Sequence, residues 1–407
     1  MPRLADSSHP QSLGPWLVLM MAVATGISVA SLYYAQPLLN TIATEFTLSP
    51  STAGSAVTAS QLSYGIGLLL LVPLGDLLEK RALIVTMCLL SAGGLLLCGL
   101  APDFQWLLLG TAIAGLFAVA AQIMIPFAAT LAAPEQRGRV IGTLMSGLLL
   151  GILLARTAAG AISSLSHWRV VYLIAAALMT INGLILLLAL PKHHVPTGLS
   201  YGRLIKSVGQ LMIEEPVLRL RAFLGMTAFS LFGLFWTTLA FLLARPPYEF
   251  SDATIGLVGL TGIAGAVSAN MTGRLADRGK GVAATRAGLL GLLLAWLPLG
   301  FAPSSLAALL IGILILDCSV QLVQVSNQSV IYKLRPQARN RMNAGYMTCY
   351  FMGGAAGSTL AAYLFEHYDW AGIVSAGAVI AGIALATGLA TLRASRNPKS
   401  RESKPAK

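Results

Sequence analysis

The stretch PEQRGRV (residues 134–140) recurs in similar form as PQARNRM (residues 336–342). Each stretch follows one long apolar run and leads into another, and at the same spacing Trp168 corresponds to Trp370. Similar loops between similar apolar runs indicate that the chain contains two copies of one helical unit.

The composition indicates where these apolar runs lie. Apolar residues make up 56% of the 407-residue chain and charged residues only 10%, and the mean hydropathy is +0.76. A soluble chain of this length would need far more polar surface. Runs of about 20 apolar residues are long enough to cross the roughly 30 Å of a bilayer core. Twelve such windows lie near residues 16–36, 51–73, 82–101, 106–131, 140–164, 170–190, 218–243, 254–272, 284–302, 304–330, 342–364 and 371–392.

The basic residues predict an orientation in the membrane. With both termini in the cytoplasm, every Lys and Arg is assigned to the inner side except Arg169 and Arg245, which are assigned to the outer side, and Arg156, which is assigned to a helix. This asymmetry is the positive-inside pattern. It also accounts for the formal net charge of +12 without nucleic acid, because basic loops beside a membrane attract anionic lipids.

We therefore predict an all-α membrane protein with twelve transmembrane helices in two pseudo-symmetric six-helix bundles. The N-terminal bundle covers residues 1–191 and the C-terminal bundle residues 218–393, followed by a basic cytoplasmic tail over residues 394–407. The linker, residues 192–217, has a one-sided apolar pattern, which favours a helix on the inner membrane surface over a disordered linker. The residues of this apolar face are Leu204, Ile205, Val208, Leu211 and Met212.

The sequence contains none of the catalytic or metal-binding motifs that we considered. The Gly-rich phosphate loop, the G-x-S-x-G elbow and H-E-x-x-H are missing. The five histidines show no ligand spacing, and the four cysteines fall in apolar windows, where they are expected to pack rather than form disulfides. We therefore expect no enzymatic activity, no cofactor and no metal site.

Two charged residues inside apolar windows are the strongest candidates for function. Arg156 lies in the fifth window, and Asp317 is the only acid inside any window. At a rise of about 1.5 Å per residue, both lie in the middle to outer half of the bilayer, and they come from opposite halves of the chain. Charges at such depth usually face a cavity or a partner. We therefore predict that Arg156 and Asp317 meet between the two bundles.

This pair has three interpretations. In the first, Asp317 binds a proton, which releases Arg156 and changes the favoured state of a carrier. In the second, Arg156 holds an anionic substrate and Asp317 only positions it. In the third, the two charges form a static pair that stabilises the fold.

A polar stripe on the helix of Asp317 predicts further lining of a cavity. Gln321, Gln324 and Gln328 follow on the same helical face, and Asn327 is adjacent. Weaker candidates in the first, second and fourth windows are Tyr34, Gln36, Gln61, Tyr64 and Gln122. The aromatic run of the seventh window could stack on an organic solute, but such a run more often faces lipid or packs inside the protein.

The loops of the repeat resemble those of a known family. The major facilitator superfamily carries the motif G-x-L-a-D-[RK]-x-G-[RK] between its second and third helices, and two loops of this chain are similar to it. The matching residues are Gly75, Glu79, Lys80 and Arg81 in the first loop and Gly273, Asp277 and Arg278 in the second. The resemblance covers the whole chain and implies that these residues gate the rocking of the two bundles.

Within this family the chain is similar to the twelve-helix drug/proton-antiporter-like branch and, over residues 317–358, to a bacterial efflux-like subgroup. Two windows depart from the pattern of the branch. Thr111 stands where the fourth helix often carries a coupling Arg, and Ile152 stands where the antiporter motif has Pro. The Gly pair of that motif is replaced by Ala155 and Arg156.

The resemblance and the charge pattern together predict a secondary active transporter of the bacterial inner membrane. We expect a monomer that moves a small organic solute by alternating access, with efflux coupled to proton entry as the first choice. The alternatives are a uniporter or an importer of a metabolite, which could be anionic, or, from another class, a channel or a transporter-like sensor. The expected partners are the solute, protons and membrane lipids, and nucleic acid is not among them.

Overall fold

A computed structural model describes residues 14–133, 135–193, 200–277, 280–335 and 338–394. The regular structure of these residues is helical throughout, with short 3-10 helices at Val72–Asp76 and Gly259–Gly262. The α-helices are α1 (Pro15–Ala30), α2 (Ala35–Glu45), α3 (Pro50–Leu70), α4 (Lys80–Gly99), α5 (Phe104–Phe117), α6 (Ala120–Leu131), α7 (Arg137–Leu165), α8 (Trp168–Ala189), α9 (Tyr201–Glu214), α10 (Pro216–Leu243), α11 (Asp252–Val258), α12 (Ile263–Asp277), α13 (Gly281–Leu294), α14 (Trp296–Leu299), α15 (Leu306–Leu334) and α16 (Arg339–Ala394).

The described chain crosses the membrane twelve times. Eleven helical runs have the length and hydropathy of a membrane span, and the last, Arg339–Thr391, is 53 residues long. This run holds two crossings because Asp369, with φ of 53° and ψ of −157°, interrupts the helical backbone. The predicted all-α fold is thereby confirmed. The predicted basic tail lies outside the described residues from residue 395 onward.

The two halves begin equivalent helices with the same local signal. Ser49 precedes α3 and Ser251 precedes α11, and the hydroxyl of each accepts a hydrogen bond from a backbone N–H three residues later. The distances are 3.2 Å to Thr52 and 3.4 Å to Thr254. Such caps satisfy an N–H of the first turn that has no partner within the helix. The sequence repeat therefore specifies equivalent helix starts.

Glycines allow helices within each half to approach closely. A Cβ on Gly151 of α7 would lie 2.3 Å from the carbonyl oxygen of Gly26 in α1. In the second half, a Cβ on Gly353 of α16 would lie 2.1 Å from the carbonyl oxygen of Met226 in α10. Small residues permit such backbone contacts between membrane helices. Gly151 and Gly353 are equivalent in the repeat, so each half contains the same tight crossing.

The linker helix α9 packs against protein. Leu204, Val208 and Leu211 on its apolar face are buried. A Cβ on Gly345, near the start of α16, would lie 3.2 Å from Val208 Cγ1. The one-sided apolar pattern predicted that this face lies on the membrane surface. In the structure it packs partly against the start of α16, where Gly345 leaves room for Val208 and Met212, and partly along the opening between the halves, which Leu204 and Val208 line.

The two ends of the bundle differ in charge. We call the end that carries Lys80, Arg137 and Arg339 the basic face, since these three residues line the same opening between the halves. The opposite end, which carries Glu45 and Asp252, is called the far face below.

At the far face, a cluster of hydroxyl groups around Asp252 joins the two halves. Thr41 Oγ1 lies 2.7 and 2.8 Å from the two carboxylate oxygens of Asp252, and Ser163 Oγ donates to Oδ2 at 2.6 Å. Thr41 and Ser163 belong to the first half, whereas Asp252 begins α11 of the second. Hydrogen bonds to a charged group contribute about 1.5–3 kcal/mol each. This cluster, the Asp252 clasp, therefore favours closure of the far face.

Removal of the clasp is expected to open the far face. Asp252→Ala eliminates the acceptor for both hydroxyls, so the labelling rate of a cysteine introduced as Ile255→Cys, a buried position in α11, should rise about tenfold or more. Labelling is measured with a membrane-impermeant maleimide added from the far side. The control is Asp103→Ala, because the hydrogen bonds that Asp103 accepts from described residues come from Gln105 and Trp106 at the start of its own helix. Equal labelling in both variants would show that the clasp does not hold the halves together.

Candidate functional site

A cavity of about 870 Å³ lies between the two halves. It extends from the exposed Arg137 and Arg339 at the basic face to Arg156 and Asp317 deep inside the protein. The Asp252 clasp closes the far face, so the cavity opens toward the basic face. A cleft between two related bundles near the middle of the membrane is where transporters of this architecture bind their cargo.

Arg156 lies at the closed end of the cavity, surrounded by aromatic side chains. Its side chain is 3% exposed, and its Nε donates to Gln36 Oε1 at 2.7 Å. The guanidinium carbon lies 3.8 Å from the ring centroid of Trp236, with Tyr33 at 5.0 Å and Phe232 at 5.4 Å. Aromatic faces attract a cation at these distances. Arg156 is therefore held by ring faces and one amide.

Asp317 lies beside Arg156 but does not form a direct ion pair with it. Trp236 Nε1 donates to Asp317 Oδ1 at 3.2 Å. None of the ion pairs between described residues, defined by an N–O distance within 4.0 Å, joins Arg156 to Asp317. The structure brings these two residues, one from each half, to the closed end of the same cavity, where Trp236 contacts both groups.

A glycine-rich turn covers these two charges from the second half. A Cβ on Gly259 would lie 2.9 Å from Arg156 Cβ, and one on Gly262 would lie 3.6 Å from Asp317 Oδ2. Both glycines belong to the 3-10 helix between α11 and α12. A side chain at Gly259 would be too close to Arg156, whereas a Cβ at Gly262 would make an ordinary contact, so Gly259 is the residue that allows the turn to approach Arg156 closely.

The polar stripe of α15 divides into two groups. One group, the candidates Gln321, Gln324 and Gln328, lines the cavity. Asn327 does not: it is fully buried, accepts from Arg221 Nη1 at 3.1 Å and donates to the carbonyl of Arg221. The prediction that Asn327 lines the cavity was wrong, since it points to α10 instead.

Arg221 is a buried charge that the sequence analysis missed. It is 3% exposed and donates to Thr285 at 2.9 Å as well as to Asn327. Because it lies only a few residues from the start of α10, it was assigned to the basic loop. The apolar residues that flank Arg221 in the sequence were the signal that could have identified it as buried. Tyr346 connects this buried group to the cavity, since its hydroxyl bonds Gln324 at 2.5 Å and Asn327 at 3.4 Å.

Only some of the weaker candidates from the sequence line the cavity. Tyr64 and Gln122 line the cavity and are joined by a 3.2 Å hydrogen bond. Gln36 does not line this cavity, but it accepts the hydrogen bond from Nε of Arg156, which does. Tyr34 and Gln61 do not line the cavity; Gln61 is 2% exposed and packs near Gly354, where a Cβ would lie 3.5 Å from its Oε1.

The first motif loop fastens helices of the first half. Glu79 accepts from the backbone N–H groups of Arg81 and Ala82 at 2.9 Å and of His193 at 3.2 Å. Burial alone would raise the pKa of Glu79, but these N–H groups and the nearby Arg81 lower it below its ordinary value. Arg81 also donates to the carbonyl of Leu190 at 3.4 Å. These contacts tie the start of α4 to the end of α8.

The remaining motif residues have different surroundings. Gly75 packs near Ile123, and Lys80 lies 5.5 Å from the ring centroid of Phe127 and lines the cavity. Gly273 lies near the end of α12. The side chain of Asp277 and the whole of Arg278 lie outside the described residues.

A comparison with known families identifies the architecture. The model of the Major Facilitator Superfamily matches residues 21–336 and 282–407. The chain belongs to the Major Facilitator Superfamily. This facilitator is 53% identical to the uncharacterized transporter YgaY of Escherichia coli O157:H7 over 91% of this chain and 94% of that relative. The superfamily is thus the one that the motif loops indicate, and the protein is a multi-pass transporter of this type.

Solved structures support the fold of the facilitator. A bacterial homologue of the human lysosomal transporter Spinster, in an inward-facing and unoccupied conformation, has a TM-score of 0.76 at 15% identity, over 93% of this chain and 96% of that chain. A mutant of the nucleoside transporter NupG has a TM-score of 0.73 at 14% identity, over 92% and 99%. At such identities the likeness concerns the fold alone.

Proposed function

We propose that the protein is a proton-coupled secondary transporter that moves a small organic solute by alternating access. The observation that supports this most directly is the position of Asp317. It is a buried carboxylate at the closed end of a cavity formed by both halves of the chain. Binding of a proton there removes a charge from the contact region of the two halves, which changes the relative free energies of the two carrier states.

In this proposal the basic face is cytoplasmic and the protein lies in the bacterial inner membrane. The asymmetry of the basic residues supports this orientation. The cavity then opens to the cytoplasm, and the Asp252 clasp closes the outer side. Because both halves of the site belong to one chain, a monomer is sufficient for transport.

The direction of transport depends on the charge of the solute. Efflux in exchange for protons, the first choice of the sequence analysis, requires that solute and proton displace each other, as a cationic solute would at Asp317. An anionic solute would instead bind together with the proton. Arg156 at the same end of the cavity favours the second case, the anion importer that the sequence left open as an alternative.

The test uses the purified full-length protein in sealed vesicles that contain a pH-sensitive dye. Lipophilic cations, organic anions, sugars and amino acids are added in turn across a pH gradient. We expect at least one class to change the lumenal pH in protein-containing vesicles and not in empty ones. Uptake of a labelled solute without proton movement would contradict the proposal and indicate a uniporter. Unitary current steps in a planar bilayer would indicate a channel.

A further inference from the structure

The guanidinium of Arg156 has hydrogen-bonding capacity that the described protein does not use. Its Nε donates to Gln36, but Nη2 is buried without a partner, and no hydrogen bond to a described residue involves Nη1. A buried polar group without a partner carries a desolvation penalty. The two terminal nitrogens are therefore left without a protein acceptor at the buried end of the cavity.

Aromatic rings and one amide surround the rest of the Arg156 guanidinium. Its carbon lies over the rings of Trp236, Tyr33 and Phe232, at 3.8, 5.0 and 5.4 Å from their centroids. Gln36 accepts a hydrogen bond from Nε. The terminal nitrogens that are left form a fork that matches the two oxygens of a carboxylate or another planar oxyanion.

We propose that the transported solute is an organic monoanion with an apolar or aromatic body, and that its anionic group binds the terminal nitrogens of Arg156. This inference rests on the proposed function and specifies its solute. The body of the solute would lie along the aromatic wall of the cavity. This wall consists of Tyr33, Tyr64, Phe229, Phe232, Tyr350 and Phe351.

The charge of the cavity fits an anion. Among the residues that the structure describes, five basic ones line the cavity, against two acidic ones, Asp76 and Asp317. The basic residues are Lys80, Arg137, Arg156, Arg339 and Arg341. An excess of one sign in a cleft with low-dielectric walls raises the local concentration of solutes of the opposite sign. The mouth at the basic face therefore attracts anions toward Arg156.

The position of Asp317 determines how the anion and the proton are coupled. A negative solute at Arg156 lies near the carboxylate of Asp317, and two like charges in a buried site oppose each other. A proton on Asp317 removes this repulsion, so the solute and the proton favour each other's binding. Transport is then cotransport in one direction, and one monoanion with one proton moves no net charge.

The test compares three probes of the same shape with the purified full-length protein. We use 2-naphthoate, 2-naphthamide and 2-naphthylmethylamine, and we measure equilibrium binding in detergent. The acid is expected to bind about tenfold or more tightly than the amide or the amine. Equal or tighter binding of the amide or the amine, or no binding of the acid, would overturn the proposal.

Two variants of Arg156 locate the anionic group. Arg156→Lys keeps the charge and loses the planar fork, and Arg156→Gln loses both, so the acid is expected to bind progressively more weakly while the amide changes little. The control, Arg203→Gln, removes the same charge from an exposed position of α9 outside the cavity. If neither Arg156 variant folds, the comparison of acid and amide in the wild-type protein still decides the question. Unchanged acid binding in folded Arg156→Gln would contradict the proposal.

The pH dependence tests the coupling. The titratable groups that face Asp317 are Arg156 of α7, Tyr33 of α1, Tyr350 of α16 and the adjacent Cys318. The ordinary pKa values of these three side-chain types, Arg, Tyr and Cys, all lie above 8. These neighbours therefore keep their charge between pH 6 and pH 8. Because a proton on Asp317 removes the repulsion of the bound anion, binding of 2-naphthoate should be tighter at pH 6 than at pH 8. This difference should vanish in Asp317→Asn. A difference that persists in the variant would exclude Asp317 as the coupled group.

These outcomes separate the inference from the proposed function. Tighter binding of the amine with proton exchange in vesicles would retain a proton-coupled transporter and reject the anion. Tighter binding of the acid without any proton movement would retain the anion and reject the coupling. Proton movement with 2-naphthoate that is insensitive to an imposed membrane potential would support both.

Discussion

Replacement of Asp317 by Asn is expected to abolish solute-dependent proton movement in sealed vesicles while the carrier remains folded. Asn has the same shape, and its side-chain oxygen can still accept the hydrogen bond that Trp236 donates to Asp317 Oδ1 at 3.2 Å. It cannot bind and release a proton at neutral pH. The lumenal dye signal should therefore fall to the level of empty vesicles, because no other acid lies among the groups that surround Arg156 in the described structure.

A second measurement distinguishes loss of coupling from loss of the protein. Exchange of labelled solute for unlabelled solute at equal pH on both sides needs no net proton transfer. It should survive in Asp317→Asn, since Asn resembles the protonated carboxyl group. Asp103→Asn serves as the matched control, because Asn can also cap a helix and Asp103 lies outside the cavity. Equal proton movement in wild type and Asp317→Asn would show that Asp317 has a structural role.

The fold follows from features that are local in the sequence. A window of about 20 apolar residues is read directly from the chain, and its physical cause, the thickness of the bilayer core, is independent of every other window. The repeat adds the pairing of equivalent positions, such as Gly151 with Gly353. The long helical run Arg339–Thr391 separates at Asp369, which lies in the gap between the last two apolar windows of the sequence.

The site is only partly predictable because it depends on how each helix is rotated. Arg156 and Asp317 were identified since charge in an apolar window is costly wherever it lies. Trp236, in the aromatic run of the seventh window, was considered only as a ring that could stack on a solute, because the sequence does not distinguish a ring that faces lipid from one that contacts a guanidinium. Asn327 and Gln328 are neighbours in sequence, yet one points to Arg221 and the other to the cavity. Successive residues of an α-helix are turned by about 100° around its axis, so two neighbours in sequence face different surroundings.

Substitution of Gly151 by Ala is expected to cause a large loss of folded protein. The new Cβ would lie 2.3 Å from the carbonyl oxygen of Gly26 and 2.5 Å from its Cα. Both contacts are with backbone, which cannot turn aside as a flexible side chain can, so α1 and α7 would have to separate. Overpacking of this kind costs about 1–3 kcal/mol, and the lost contacts along the crossing add to it. The midpoint of thermal unfolding in detergent and the yield of monodisperse protein measure the effect.

The same helix provides the control for this prediction. Gly142 lies on α7 and has open space where its Cβ would be, so Gly142→Ala changes the helix in the same chemical way without a clash. It should leave stability unchanged or raise it slightly, because Ala favours a helix over Gly by up to about 1 kcal/mol. Gly353→Ala should resemble Gly151→Ala, since its Cβ would lie 2.1 Å from the carbonyl oxygen of Met226. If all three variants unfold at the wild-type temperature, the close crossings do not determine stability, and the repeated glycines must be explained by another requirement.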